Sequence, residues 1–76
     1  DLLEKEAVLV KIPLSERLAD IEVLCKAYNG KIVNANEKYI IVIATDKPNA
    51  ISQFIAAIKT FNPKEIIRSG VIAMEK

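Results

Sequence analysis

With 76 residues the chain is long enough for one domain only, and a domain of that size buries only about 60% of its unfolded surface, so extra stability has to come from association. Eleven basic residues against ten acidic ones give a formal charge of +1; the signs are interspersed, which excludes a built-in nucleic-acid or membrane-surface field. Histidine is absent and Cys25 is the single cysteine, which excludes disulfides, imidazole metal sites and Ser-His or Cys-His nucleophiles.

Ala7 to Ile12 reads as a first strand, apolar on both parities but for Lys11, and is ended by Pro13, whose fixed φ and missing N–H halt a ladder. Ser15 is the expected N-cap of a helix, with Glu16 in its first turn, and Leu18, Ile21, Leu24, Cys25 and Tyr28 form one apolar stripe at helical spacing. Asn29-Gly30 supplies a left-handed stop. Lys31 to Asn36 reads as a weaker edge strand, joined through Asn36-Glu37-Lys38 to the run Tyr39 to Ala44. That run is apolar at both odd and even positions, so as a strand it needs cover on both faces of its sheet. Asp46 is an N-cap candidate and Pro48 lies near a second helix start. Ile51, Phe54, Ile55, Ile58 and Phe61 give its apolar stripe, and Asn62-Pro63 ends it. Glu65 to Met74 is a last extended segment, with a bulge or bend expected at Arg68-Ser69-Gly70.

Strand, helix, strand, strand, helix, strand is the α+β, ferredoxin-like split βαβ order, with a four-stranded antiparallel sheet expected. Right-handed crossovers place both helices on one face. An apolar sheet face is then left uncovered, the kind of surface that marks an interface.

Chemistry is sparse. Cys25 sits on the apolar stripe, where burial makes a thiol inert, and the core reading is favoured over a reactive one. Glu16 and Asp20, four apart, resemble a carboxylate pair, yet Glu22 and Lys26 beside them point to a solvated face. No Gly-rich loop is present for a phosphate. An RNA-recognition module of this topology would stack bases on central-strand aromatics, and here only Tyr39 stands at the edge of such a strand. Arg68, Ser69 and Gly70 are candidate contacts for an anionic group or a partner backbone, weighed against a bulge with a solvent-facing arginine. Asn34 and Asn36 are candidates for a small polar ligand, weighed against solvation or turn hydrogen bonds. No catalytic, cofactor-binding or metal residue is assigned.

Lys64-Glu65-Ile66-Ile67-Arg68-Ser69-Gly70-Val71-Ile72-Ala73-Met74 resembles the closing motif of the small, regulatory subunit of acetolactate synthase (acetohydroxyacid synthase). Gly30-Lys31-Ile32-Val33 and the helix before it also look like that family, and the similarity runs from Ala7 to Met74. The resemblance implies a non-catalytic partner of a thiamine-diphosphate-dependent large subunit in branched-chain amino acid biosynthesis, itself carrying no cofactor. It also implies that residues 1–76 form a single domain matching the C-terminal half, without the family's preceding ACT domain; Asp1 in place of an initiator Met fits a piece of a longer polypeptide. The expectation is a homo-oligomer that associates through its sheet and meets the large subunit, with no nucleic acid or membrane partner. The longest apolar runs are far short of the ~20 residues of a membrane helix, no signal peptide is visible, and a cytoplasmic location is expected. A stand-alone, ACT-like amino-acid-sensing dimer is the alternative. A ferredoxin-like hydrolase is disfavoured for want of an anion loop or base.

Overall fold

The computed structural model describes residues 1–14 and 17–76. Their elements are β1 (Leu2–Pro13), α1 (Leu18–Ala27), β2 (Gly30–Ala35), β3 (Tyr39–Asp46), α2 (Pro48–Ile58), a 3-10 turn (Lys59–Phe61), β4 (Glu65–Arg68) and β5 (Ile72–Glu75). Every strand pair is antiparallel, the sheet order is β2-β3-β1-β4, and β5 pairs with β1 beyond β4. This is the expected ferredoxin-like arrangement, with its last strand in two pieces.

Parity along the central strands decides what is covered. Val8, Val10 and Ile12 of β1 face Ala44, Val42 and Ile40 of β3 in register, and all six are buried. The same cluster takes in Ile21 and Cys25 of α1 and Ile51, Phe54, Ile55 and Ile58 of α2. Both helices therefore lie on the even-numbered face of β1. Leu18, Leu24 and Tyr28 pack around the cluster, and the Tyr28 ring tilts against Phe54 at 5.8 Å between centroids. A fully buried side chain of this kind contributes about 1.5–3 kcal/mol relative to an exposed one.

The helix ends follow local chemistry. Asn29 has φ 56°, so the left-handed residue after α1 is the asparagine rather than Gly30. Gly30 meets a different constraint: a Cβ there would stand 3.2 Å from the Cα of Cys25, so the helix backbone would have to give by a few tenths of an ångström. The α1 N-cap is Arg17, and the capping role expected of Ser15 and Glu16 lies outside the described residues. Lys47, not Asp46, occupies the N-cap position of α2, and Pro48 follows as the first helical residue. Asp46 instead ends β3; its carboxylate accepts from the Lys47 N–H at 2.7 Å and from the Asn29 amide at 2.9 Å. Asn62, with φ 54°, closes the 3-10 turn after α2.

Two boundaries differ from the sequence reading. β1 begins at Leu2 rather than Ala7, because Leu2 to Lys5 gain a ladder with β5. The last extended segment divides at Ser69-Gly70-Val71, where Gly70 has φ 80°. Val8 pairs with Arg68 and Lys5 with Ile72, so the β4–β5 side carries one residue more than β1 over that interval. That extra residue is a β-bulge. Beyond it β1 and β5 run on as a two-stranded ribbon, and the molecule measures 43 Å along its long axis against 18 and 17 Å across.

Candidate functional site

The odd-numbered face of β1 carries the surface that the helices leave open. Leu9 is flanked by Ile43 on β3 and Ile67 on β4, so three aliphatic side chains form one row across the sheet. Leu9 is 41% exposed and Ile67 52%, while Ile41 and Ile43 are half-buried. Leu9, Lys11, Ile41, Glu65 and Ile67 enclose a shallow depression of about 160 Å³. Charges sit at its border and are matched. Lys11 lies opposite Glu65 in the ladder, and its ammonium stands 4.6 Å from the centroid of the Tyr39 ring. An apolar centre within a polar rim is the anatomy of a protein interface.

Past the bulge the same parity continues. Leu3 faces Met74 and Lys5 faces Ile72, and Leu3, Ile72 and Met74 are all exposed. Single exposed apolar residues are ordinary, whereas a run shared by neighbouring strands is not.

The bulge is held by a polar cluster on the opposite, helix-covered face. Glu6 is buried, at 3% exposure, and receives the Arg68 guanidinium as a fork, Nε to Oε2 at 2.9 Å and Nη2 to Oε1 at 2.6 Å. Arg68 also donates to the Ser52 hydroxyl of α2 at 3.3 Å. These hydrogen bonds hold the Glu6 carboxyl below the usual carboxylate range, against the upward push of burial; the Arg68 charge and the Gly70 backbone add to the lowering. Ser69 replaces the ladder partner that the bulge displaces: its N–H donates to the Ala7 carbonyl at 2.9 Å and its hydroxyl accepts from the Ala7 N–H at 3.0 Å. The hydroxyl proton goes to the Gly70 carbonyl at 2.8 Å.

Arg68, Ser69 and Gly70 are thus brought together, with Glu6 as the group between them. Asn34 and Asn36 lie at the other edge of the sheet, so the five candidate residues do not converge on one place. Asn34 is exposed opposite Ile41, next to a register shift between Ile32 and Asn34. Asn36 lies past the end of β2, and its side-chain oxygen accepts from the backbone N–H groups of Lys38 and Tyr39, both at 2.8 Å. Sequence reasoning missed Glu6, for which no local signal exists because its partner is 62 positions away. It also missed Leu2 and Leu3, since Leu2-Leu3-Glu4-Lys5-Glu6 has no strand alternation to detect.

Cys25 is buried, and desolvation followed by the Glu22 charge pushes its thiol up, away from the reactive thiolate. Among the described residues no group of three or more Cys, Asp or Glu side chains is placed to hold a metal ion, and no buried side-chain polar atom lacks a hydrogen-bond partner. No described helix is long and apolar enough to cross a membrane.

The fold and its surfaces define a ferredoxin-like module with both helices on one side of the sheet and an apolar row at Ile43, Leu9 and Ile67 on the other. Residues 5–76 match the family described as the small subunit of acetolactate synthase, and the chain belongs to that family. Among solved structures it is similar to the acetolactate synthase small subunit from Thermotoga maritima, with 26% identity and a TM-score of 0.90. That match covers 100% of this chain and 47% of the other, so the chain spans about half the length of that subunit. A second structure, of CPII from Thiomonas intermedia K12 bound to ADP and bicarbonate, matches with a TM-score of 0.64 at 9% identity, covering 100% of this chain and 93% of that one. At that identity the likeness concerns the fold alone.

Proposed function

We propose that this chain is a non-catalytic regulatory domain of acetolactate synthase, corresponding to the C-terminal half of the small subunit, and that it associates through the open face of its sheet. The observation that supports this most is the Ile43-Leu9-Ile67 row, apolar on three adjacent strands and left uncovered by either helix. Family membership supplies the enzyme concerned. Thiamine-diphosphate chemistry belongs to the large subunit in this reading, and the small-subunit domain acts by binding it and changing its rate. The amino-acid-sensing alternative has weaker support, because the Asn36 carboxamide oxygen already accepts two backbone N–H groups.

The test is to titrate the purified chain into a catalytic acetolactate synthase subunit and to follow both the rate and the sedimentation of the mixture. Stimulation and co-sedimentation are expected with the native sequence. Ile67→Asp places a charge in the apolar row without entering the core, and should weaken association at least tenfold, the equivalent of about 1.4 kcal/mol. A variant that associates and stimulates as well as the native chain would remove the sheet from this reading.

A further inference from the structure

The ribbon beyond the bulge leaves one backbone edge bare. In an antiparallel ladder the N–H and C=O of successive residues point alternately to the two neighbouring strands. Odd residues of β1 bond toward the β4–β5 side: Asp1 accepts from Lys76 at 3.1 Å, Ala7 from Ser69 at 2.9 Å and Lys11 from Lys64 at 2.7 Å. The even residues therefore point toward β3. From Glu6 onward β3 is there to meet them, Glu6 lying opposite Asp46. At Pro48 the chain has already turned into α2. Among the described residues no strand pairs with the Leu2 and Glu4 backbone on that side. A groove of roughly 520 Å³ occupies the place instead, lined by Leu2, Glu4, Lys47, Pro48, Gln53 and Lys76 among others.

We propose that this slot is filled by the same segment of a second copy of the chain, the two β1 edges pairing antiparallel about a two-fold axis at Leu3. The sequence is self-complementary in that register. Leu2 of each copy faces Glu4 of the other, both pairs exchanging backbone hydrogen bonds, and Leu3 faces Leu3 at a close, non-hydrogen-bonded position. Asp1 then faces Lys5 of the other copy, once on each side of the axis, and opposite charges directly across a ladder attract. One contact fills both slots, because a two-fold interface uses the same edge of each partner. It leaves the open faces of the two copies on the same side of a joined sheet, so it is compatible with, and independent of, association through that face.

Cross-linking tests the register. Antiparallel neighbours at a non-hydrogen-bonded position have Cα atoms about 4.5 Å apart, within the range a disulfide spans. The Leu3→Cys chain, oxidised mildly in its native state, should give at least tenfold more disulfide-linked dimer than Val23→Cys, a control on the exposed side of α1. Adding Glu4→Pro removes an N–H that points into the slot while sparing the ladder to β5, and should return the yield to the control level. Circular dichroism verifies that the double variant is folded; if it is not, Leu2→Pro removes the other slot-facing N–H and replaces it. Adding Ile67→Asp should leave the cross-link intact, which separates this contact from the open-face one. A Leu3→Cys yield no higher than the control, or one that persists in the folded proline variants, overturns the pairing.

Discussion

The two faces of β1 and β3 are built from nearly the same residues and end in different surroundings. Val8, Val10 and Ile12 on one side are 1%, 0% and 0% exposed, whereas Leu9 on the other is 41% exposed. Ile40 and Val42 are buried between helices and sheet, while Ile41 and Ile43 stand in the open face. Hydrophobicity alone does not tell these sets apart; what separates them is that both helices lie over one parity. The covered set forms the core with the two helices, and the open set stays at the surface.

Truncation on the two sides should therefore read out differently, and this is the largest effect expected. Phe54 is fully buried at the centre of the covered side, and Phe54→Ala should cost about 3–5 kcal/mol in denaturant unfolding. That is a large part of the roughly 4–11 kcal/mol available to a domain of this length. Leu9→Ala, on the open side of the same sheet, should cost less than about 1 kcal/mol under monomeric conditions and act mainly on association. Equal losses at the two positions would mean that the open face is packed within the monomer, and the contrast between the faces would fail.

Much of this contrast is legible in the chain itself. The helix stripe Ile51, Phe54, Ile55, Ile58 is read without coordinates, because burial imposes its period on the sequence, and right-handed crossovers then put both helices on one side of the sheet. The two-sided run Tyr39 to Ala44 likewise announces a strand with two apolar faces. The ribbon is not legible. Leu2 to Lys5 form a strand only because β5 lies beside them across the bulge, and no local pattern records a pairing between the two ends of the chain. Glu6 is hidden for the same reason, a glutamate whose burial depends on an arginine 62 residues further on. The asparagine candidates fail to converge with Arg68 because the β2-β3-β1-β4 order puts β2 and β4 at opposite edges, a relation that spacing along the chain does not carry.

Glu6 also sharpens the comparison by titration, with a smaller effect. It faces Arg68 from β4, Ser52 through that arginine from α2, the Gly70 backbone from the bulge, and Asp46 directly opposite on β3. Its pKa is lower folded than unfolded, so the stability it contributes is fully present above the unfolded value, about 4.3, and is lost as the pH falls through the folded value. Asp46, lowered first by the Lys47 N–H and then by the Asn29 amide, acts in the same direction from about 3.9 downward. The melting temperature should accordingly drop as the pH falls below about 4.3. Glu6→Gln should melt lower than the native chain at pH 7 and show a shallower acid limb, the two curves converging once the native carboxyl is protonated in the folded chain. Parallel acid limbs would show that Glu6 does not stabilise the bulge as an ion.

The smallest effect belongs to Cys25, a covered residue whose side chain reports the tightness of that side. Its thiol is pushed up by burial and by the Glu22 charge, and a Cβ at Gly30 would stand only 3.2 Å from its Cα. Since the folded chain disfavours the thiolate, this group's contribution to stability is present below the unfolded value, about 8.5, and declines only as the pH rises beyond it. Cys25→Ala should cost about 1 kcal/mol or less and leave association unchanged. Alkylation of the native thiol at pH 8 should be slower than in denaturant on the order of 100-fold, because the reagent waits for opening of the helix layer. Native labelling at the denatured rate would place Cys25 outside the core and shift α1 on the sheet, and with it the assignment of one face as covered and the other as open.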